Sequence, residues 1–492
     1  MTRSVRQGCP LSMGLFVIYQ EAFYWAMIKS QIIRPLRMPD STETLLLGYA
    51  DDTNILVTDE RSLLEIERII TKFEQATGAI LNKNNKTKIF GMGKWKNRTH
   101  WPVAWLKIET QYFFTLGIYY SNSYVESVEK NWSKCVTTID SHRRILNSRK
   151  LTLYQRCTYA NACILSKLWY VSHIFPLTNY YAKEINKIIF HYIWNGRYEP
   201  IRRTTVFRPK KEGGLGIIDC LRKSKVILLN SFIRCNISED HHNTLMYYYC
   251  YIRMHNILGM EYSVHNASLQ MTPYYEIIYG LIKSVLHVPK FPIVSNKYLY
   301  RFMLPKENSL SESQFPTFNW KRIWKNFSCI IFNPYEKEII FKHLHICLAT
   351  NQRLSMLNRS TNSLCTKCTG DFVHTPIHMF YECEAVKPLF DWLLRILCYL
   401  SNFKVGSSIK FIYFDTRYDN PEQRNICNLF LYIYITTLWK TRKENLRIGI
   451  LKMTIIRRVV DHLNYIKHME NHRMESLLDD LSRLDLYNLI NL

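Results

Sequence analysis

The stretch Tyr49-Ala50-Asp51-Asp52 places two adjacent carboxylates at a short turn between two apolar runs, residues 45–49 and 53–58. The length and side-chain types of these runs predict the two strands of a hairpin. Mg²⁺ binds oxygen ligands and is typically held by one or two carboxylates together with substrate phosphates. The pair therefore predicts a metal-binding turn suited to phosphoryl transfer. A solvated acidic turn is the alternative, because Asp is common in turns.

The composition favours a folded protein with a polyanionic partner. Of the 492 residues, 47% are hydrophobic and 14% aromatic, which excludes bulk disorder. The 65 Lys and Arg residues outnumber the 40 Asp and Glu residues, giving a net charge of +25. Such a charge points to nucleic acid or to an anionic membrane surface. The basic residues are interleaved with aromatic ones, which suits a surface that follows a phosphate backbone and stacks on bases.

The sequence predicts an intracellular protein of the cytoplasm and nucleus that is neither secreted nor bound to a membrane. We expect no apolar run of the roughly 18 residues that a membrane span needs. The N-terminus differs from a signal peptide because Gly8-Cys9-Pro10 interrupts its apolar run and Gln20 and Glu21 follow it. The 14 cysteines are mostly irregularly spaced, which favours reduced thiols.

Local signals predict helices and strands on both sides of the hairpin. Ser12 is an expected N-cap, and Asp59 and Gly78 are expected at the two ends of a second helix. From about residue 125 onward the pattern is mostly helical. The remaining predicted elements are a helix over residues 13–29 and strands over residues 87–92 and 108–119.

Four motifs, in this order, resemble the palm of reverse transcriptases. Arg6-Gln7-Gly8-Cys9-Pro10-Leu11-Ser12 resembles the motif that contacts template and nucleotide, and Tyr49-Ala50-Asp51-Asp52 resembles the metal-binding hairpin. Thr77-Gly78-Ala79-Ile80-Leu81-Asn82, with Lys86-Thr87, resembles the lysine-bearing motif that follows. Phe113-Phe114-Thr115-Leu116-Gly117 resembles the strand that begins the primer grip.

The particular residues narrow the resemblance to non-LTR (LINE-type) retrotransposons, in which RQGCPLS and YADD are typical. Trp194-Asn195-Gly196 and Gly213-Gly214-Leu215-Gly216 resemble the region after the polymerase. The resemblance covers residues 3–220 well and residues 360–385 less closely. A group II intron-type maturase shares the hairpin, but the later Cys/His segment and the glycine run argue against it.

The resemblance implies an RNA-directed DNA polymerase that uses two-metal nucleotidyl transfer. Asp51 and Asp52 would hold Mg²⁺ or Mn²⁺. Lys86 is a candidate to neutralise or protonate the departing pyrophosphate, although a solvated lysine is an equally good interpretation. Gly8 would allow a close backbone approach to the nucleotide. The residues implied in nucleotide and template binding are Arg6, Gln7, Gly8 and Tyr49.

The resemblance also implies parts that precede the Arg6 motif, namely a third catalytic aspartate and the fingers. We therefore expect the polypeptide as given to be a truncated form that does not polymerise alone. The implied partners are an RNA template, target DNA and deoxynucleoside triphosphates. The main alternative is a non-catalytic retrotransposon remnant that binds nucleic acid.

A compact segment near residue 370 has the spacing of a small tetrahedral Zn²⁺ site. Its predicted ligands are Cys365, Cys368, His378 and Cys383, and His374 is a rival for the third position. The segment resembles the C-terminal knuckle of LINE proteins. The alternative is a set of reduced cysteines that lie close together by chance.

Together these observations predict an α+β fold. A partial right-hand polymerase palm, built from a β-hairpin and helices, would precede a largely α-helical thumb and C-terminal region with a zinc knuckle. The predicted segments are a partial palm (1–122), the thumb and basic post-polymerase region (123–220), a helical region of unknown role (221–355), a zinc-knuckle-like segment (356–390) and a helical tail (391–492).

Overall fold

The computed structural model divides the chain into two compact units. Unit 1 comprises Met1–Thr138, Lys167–Ile185 and Cys220–Phe302, and unit 2 comprises Ile139–Ser166, Asn186–Asp219 and Met303–Leu492. The structure describes residues 10–39, 41–50, 52–82, 87–237, 243–258, 267–288, 295–328, 333–360, 362–401, 408–418, 420–468 and 488–491.

The described residues are mostly helical and include four small two-stranded sheets. The α+β prediction is therefore confirmed, whereas the palm and the five predicted segments stay predictions. The strands are β1 (Leu36–Arg37), β2 (Glu43–Thr44), β3 (Leu46–Tyr49), β4 (Asp52–Ile55), β5 (Lys88–Phe90), β6 (Lys107–Glu109), β7 (Phe113–Thr115) and β8 (Ile118–Tyr120). The pairs β1–β2, β3–β4 and β7–β8 are antiparallel, and β5–β6 is parallel.

Helices account for most of the rest of both units. The first nine are α1 (Pro10–Ile28), α2 (Glu60–Thr77), α3 (Tyr124–Asn147), α4 (Leu153–Tyr159), α5 (Trp169–Ser172), α6 (Asn179–Ile193), α7 (Arg203–Phe207), α8 (Cys220–Ile237) and α9 (Asn243–Leu258). The others are α10 (Pro273–Val285), α11 (Asn296–Met303), α12 (Leu310–Gln314), α13 (Trp320–Ser328), α14 (Pro334–Leu344), α15 (Asn351–Met356), α16 (Lys387–Ser401), α17 (Pro421–Lys440) and α18 (Ile448–His468).

Helix α2 follows its sequence signals closely. The Asp59 side chain accepts a hydrogen bond from the Ser62 backbone N–H, and Gly78 ends the helix in the left-handed conformation at φ 75°. The buried face of α2, which includes Ile66 and Ile69, packs with Met27 of α1 into a small core. Both predicted caps of this helix are confirmed.

Helix α1 differs from its prediction in two ways. It begins at Pro10 rather than after Ser12, because proline fits the first turn of a helix, where its missing N–H costs nothing. By length and composition alone, α1 could also cross a membrane, which corrects the expectation that no run is long enough. A single helix of this kind is weak evidence, because core helices and N-terminal signal sequences meet the same criteria.

The predicted strand over residues 108–119 is wrong as one element. The structure divides it into β6, β7 and β8, with a tight turn between the last two. Leu116 and Gly117 both have positive φ, at 47° and 82°, which is the requirement of the two-residue turns that favour hairpins. The primer-grip-like motif therefore forms a hairpin.

The glycine run Gly213-Gly214-Leu215-Gly216 of unit 2 has a packing role. A Cβ on Gly213 would lie 2.4 Å from the Trp324 indole, and one on Gly214 would lie 1.8 Å from the Arg208 carbonyl oxygen. Gly196 likewise ends the α6 region at φ 69°, with its N–H bonded to the His191 carbonyl. The glycines of both motifs therefore allow close approaches and backbone conformations that a Cβ would disturb.

Two buried histidines of unit 2 lie against backbone carbonyl groups. Nε2 of His343 is 2.8 Å from the Ile412 oxygen, and Nε2 of His345 is 2.8 Å from the Gly213 oxygen. Burial lowers the pKa of both residues to about 4. Each ring is therefore neutral in the folded protein at pH 7 and donates its Nε2–H.

We expect unit 2 to lose stability as the pH falls from about 6.5 to about 4. An unfolded histidine has a pKa near 6.5, so in this window the unfolded chain binds more protons than the folded one. The loss is on the order of 3 kcal/mol per histidine. Denaturant unfolding across this window would measure it, and a His343→Gln/His345→Gln variant should show a flatter dependence. Equal pH dependence in the two proteins would contradict the assignment.

Candidate functional site

The YADD stretch forms the predicted hairpin. Strands β3 and β4 pair with Tyr49 opposite Asp52, and the turn between them begins at Ala50. Ala50 has φ 51°, as such turns require. Asp52 is therefore the first residue of β4 rather than a turn residue, which corrects the position predicted for it. Asp52 and Tyr49 are both exposed, and Asp51 lies outside the described residues.

Helix α1 holds the hairpin from one side. The Thr53 hydroxyl lies 2.8 Å from the Tyr24 hydroxyl, and it accepts a hydrogen bond from Gln20 at 3.2 Å. A Cβ at Gly48 would lie only 2.2 Å from the Tyr24 hydroxyl oxygen, so only glycine leaves room for this contact. Sequence reasoning missed Gln20 and Tyr24, although Gly48 inside an apolar strand was a signal of close approach.

The hairpin also contacts the primer-grip-like motif. Nδ2 of Asn54 donates a hydrogen bond of 3.0 Å to the Thr115 hydroxyl on β7. The structure thus links the YADD hairpin directly to the primer-grip-like motif, and α1 includes the last three residues of the first motif. The predicted site residues Arg6, Gln7, Gly8 and Lys86 lie outside the described residues, and their roles stay predictions.

A lysine–aromatic platform, which we define as Tyr112, Phe114, Tyr119, Lys130 and Lys134, covers one face of the β7–β8 hairpin. The Lys130 ammonium lies 5.0 Å from the Tyr112 ring centre, and the Lys134 ammonium lies 4.9 and 4.8 Å from those of Phe114 and Tyr119. Both lysines are exposed, and Phe114 is 50% exposed. A cation over an aromatic ring face is attracted to that ring by about 0.5–1 kcal/mol at exposed sites.

The four predicted zinc ligands come together in unit 2. The Cys365 and Cys383 sulfurs are 4.0 Å apart, the Cys368 sulfur is 3.5 Å from Nε2 of His378, and all four ligand atoms lie within 4.8 Å of one another. Tetrahedral zinc with Zn–S bonds of about 2.3 Å would separate two sulfurs by roughly 3.8 Å. The donor set and its spacing therefore fit Zn²⁺.

The backbone around these ligands fixes their positions. The Cys365 N–H donates to the Phe372 carbonyl at 2.8 Å, which closes a tight loop around Cys368. The Cys383 N–H donates to the His378 carbonyl at 2.9 Å, so one π-helical turn carries the last two ligands. The Phe372 ring stacks on the His378 ring at 5.4 Å. The ligands are therefore positioned by the fold of the segment itself.

His374, the rival for the third ligand, does not belong to this cluster. Its Nδ1 accepts a hydrogen bond of 3.2 Å from the Asn351 backbone N–H. Within the part of the chain that the structure describes, no other group of three or more His, Cys, Asp and Glu side chains could hold a metal. A site for Mg²⁺ at Asp51 and Asp52 therefore stays a prediction.

The pKa values of two thiols in the cluster shift in opposite directions. Burial raises the pKa of Cys365, but the backbone N–H groups of Lys367 and Cys368 outweigh this effect and hold that pKa below its usual range. Burial raises the pKa of Cys383 above its usual range. Because zinc binds thiolates, binding would release the Cys383 proton.

Lys367, a basic residue inside the loop, contacts the backbone that follows α17. Its ammonium donates hydrogen bonds to the Glu444 carbonyl at 3.0 Å and to the Thr441 carbonyl at 3.5 Å. This lysine therefore attaches the Cys/His segment to the C-terminal helices.

The geometry thus defines a mixed α+β protein with an acidic hairpin and a Cys₃His cluster that could bind zinc. No family model matches the chain. The chain is similar to the transposon TX1 uncharacterized 149 kDa protein of Xenopus laevis, with 27% identity over 226 residues. The match spans 45% of this chain and 17% of that protein. This similarity supports a transposon origin for the chain.

We expect the purified protein to contain about one zinc ion per chain and Cys365→Ser to lose it, because three donors bind zinc much more weakly than four. Metal analysis after gel filtration measures the content. Cys235→Ser is the matched control, because Cys235 is exposed on α8 and lies outside the cluster. Wild-type protein without zinc, or equal zinc in both variants, would refute the site.

Proposed function

We propose that this chain comes from the reverse transcriptase of a non-LTR (LINE-type) retrotransposon and resembles that enzyme from the Arg6 motif onward. The similarity to a transposon protein of Xenopus laevis is the observation that carries the proposal. The order of the four palm-like motifs specifies the enzyme class. The paired β3–β4 strands and their contact with β7 support it.

In this proposal the hairpin presents Asp51 and Asp52 to divalent metal. Asp51 and Asp52 would hold Mg²⁺ or Mn²⁺, and the bound metal would supply charge stabilisation as a primer 3′-hydroxyl displaces pyrophosphate from the α-phosphate of a deoxynucleoside triphosphate. Contacts of α1 with β3 and β4 orient the hairpin. Tyr24 and Gln20 fix Thr53, one residue after Asp52, and Gly48 allows α1 to approach. The exposed Tyr49 would face nucleotide and template.

The proposed partners are an RNA template and target DNA, which fits an intracellular protein of the cytoplasm and nucleus. The net charge of +25 favours long polyanions. The lysine–aromatic platform offers cations for phosphates and the exposed Phe114 ring for base stacking. The Cys₃His cluster would staple a further small module that contacts RNA or DNA.

A non-catalytic nucleic-acid-binding remnant is the second candidate. Binding without catalysis would use the net charge of +25, the lysine–aromatic platform and the Cys₃His cluster. The reverse transcriptases that this chain resembles use a third aspartate in their two-metal reaction. In those enzymes it lies before the motif that corresponds to Arg6. Two carboxylates alone would leave that reaction without a complete metal site.

We therefore expect no template-dependent primer extension from a polypeptide limited to these 492 residues. The assay measures DNA synthesis on a primed RNA template with Mg²⁺ or Mn²⁺. Asp52→Asn serves as the matched control for contaminating activity. Extension by the wild-type chain that is lost in Asp52→Asn would overturn the inactive form of the proposal and establish the polymerase.

We expect Lys130→Ala/Lys134→Ala to weaken binding of single-stranded RNA and DNA and to lower its salt dependence. Each lost phosphate contact lowers the slope of log K against log salt by about 0.7 for a single strand, so the double variant should lose roughly 1.4. Fluorescence anisotropy over a salt series measures this slope. Lys297→Ala/Arg301→Ala removes the same charge from exposed positions on α11 and controls for bulk charge. Equal slopes for both variants would exclude a specific role for the platform.

A further inference from the structure

Unit 1 contains a cleft of about 510 Å³ that none of the sequence motifs explains. Its walls come from the end of β8, the start of α3, the segment before α6 and the start of α10. Four aromatic side chains and three polar ones dominate its lining. They are Tyr120, Tyr124, Phe175, Tyr274, Ser121, Ser127 and His173.

The aromatic side chains meet around one ring. The Phe175 ring centre lies 5.9 Å from those of both Tyr120 and Tyr124, with the Tyr124 ring edge-on. Phe175 is buried, whereas the three tyrosines are partly exposed. The cleft therefore offers aromatic surface for a planar ligand. Its volume lies in the range of about 300–1,000 Å³ that is typical of small-ligand sites.

The cleft also contains an unused hydrogen-bonding group. The Tyr124 hydroxyl is buried, and within the described part of the chain no group forms a hydrogen bond with it. Burial raises the pKa of Tyr124 to about 12, so the hydroxyl keeps its proton at neutral pH and can donate. A buried polar group without a partner costs about 1–3 kcal/mol. A ligand with a polar edge would supply the missing partner.

Positive charge lies beside the cleft. Nδ1 of His173 is 2.7 Å from the Ser231 hydroxyl of α8, the helix that also carries Lys223 and Arg234. Burial lowers the pKa of His173, and the nearby charges of Arg234 and Lys223 lower it further. The Glu126 carboxylate contacts the cleft lining, because it accepts a hydrogen bond of 2.6 Å from the Ser121 hydroxyl. The two cations on the α8 side suit phosphate groups.

We propose that this cleft binds one unpaired nucleobase of single-stranded RNA or DNA, with the flanking phosphates at Lys223 and Arg234. The inference rests on the proposed nucleic-acid function and adds a base-binding site to it. Stacking on aromatic side chains and hydrogen bonds to exposed base edges are the usual means of holding single strands. A base in a duplex is already stacked and paired, so the cleft selects unpaired strands.

The test uses the full chain with RNA and DNA oligonucleotides of roughly 12 nucleotides, a length within the range of single-strand sites. Each carries one 2-aminopurine, whose fluorescence falls when it stacks. Tyr124→Phe removes only the unpartnered hydroxyl, and we expect the Kd to rise about threefold while the thermal stability of the free protein is equal or higher. Tyr274→Ala should raise the Kd about tenfold and weaken the quenching. Tyr180→Phe is the matched control, because Tyr180 is 67% exposed and outside the cleft.

The outcomes separate the base-binding site from the proposed function. If the oligonucleotides bind and the Tyr124→Phe and Tyr180→Phe variants have wild-type Kd, the cleft proposal is overturned while nucleic-acid binding stands. If neither oligonucleotide binds the wild-type chain, both proposals fail. A blunt duplex of the same sequence should compete poorly, and equal competition would also overturn the cleft proposal. The tighter of the RNA and DNA complexes identifies the strand that the cleft receives.

Discussion

The ion-pair and hydrogen-bond network of the buried Glu336 carboxylate constrains how three helices of unit 2 pack. Glu336 is 7% exposed and accepts hydrogen bonds from the Tyr432 hydroxyl, the Lys440 ammonium and the Arg458 guanidinium, which join α14, α17 and α18. Burial alone raises the pKa of Glu336, but these partners outweigh it and lower that pKa. A buried charge costs several kcal/mol unless it is paired, so the three helices can pack here only together.

The same network reaches the Cys/His segment. Lys440 is the last residue of α17, and the next carbonyl along the chain, that of Thr441, accepts a hydrogen bond from Lys367 inside the loop. The metal-type cluster is therefore attached to a helix end that Glu336 holds in place. In unit 1 the corresponding constraint is steric, because Gly48 lets the Tyr24 hydroxyl reach the YADD hairpin. Each candidate site thus depends on a contact distant in sequence.

Sequence reasoning succeeded where the determining forces are local. The caps of α2 at Asp59 and Gly78, the β3–β4 hairpin and the grouping of Cys365, Cys368 and Cys383 follow from short-range chemistry. Sequence reasoning was wrong about the start of α1, where a proline fits the first helical turn. It was also wrong about the single strand over residues 108–119, which the turn at Leu116 and Gly117 interrupts. It could not foresee the role of Lys367, because the partner carbonyls lie more than 70 residues away in the chain.

The sequence by itself determined the α+β class, the YADD hairpin and the zinc-type spacing of the three cysteines, because turns, caps and CxxC spacing act over a few residues. It also determined the large positive charge that favours nucleic acid. Only the tertiary structure decided that His378 rather than His374 joins the cysteines. It brings the His378 ring to the three sulfurs, whereas Nδ1 of His374 accepts a hydrogen bond from the Asn351 backbone N–H. Only the tertiary structure assembled the aromatic cleft around Phe175, because its walls come from segments that are far apart along the chain.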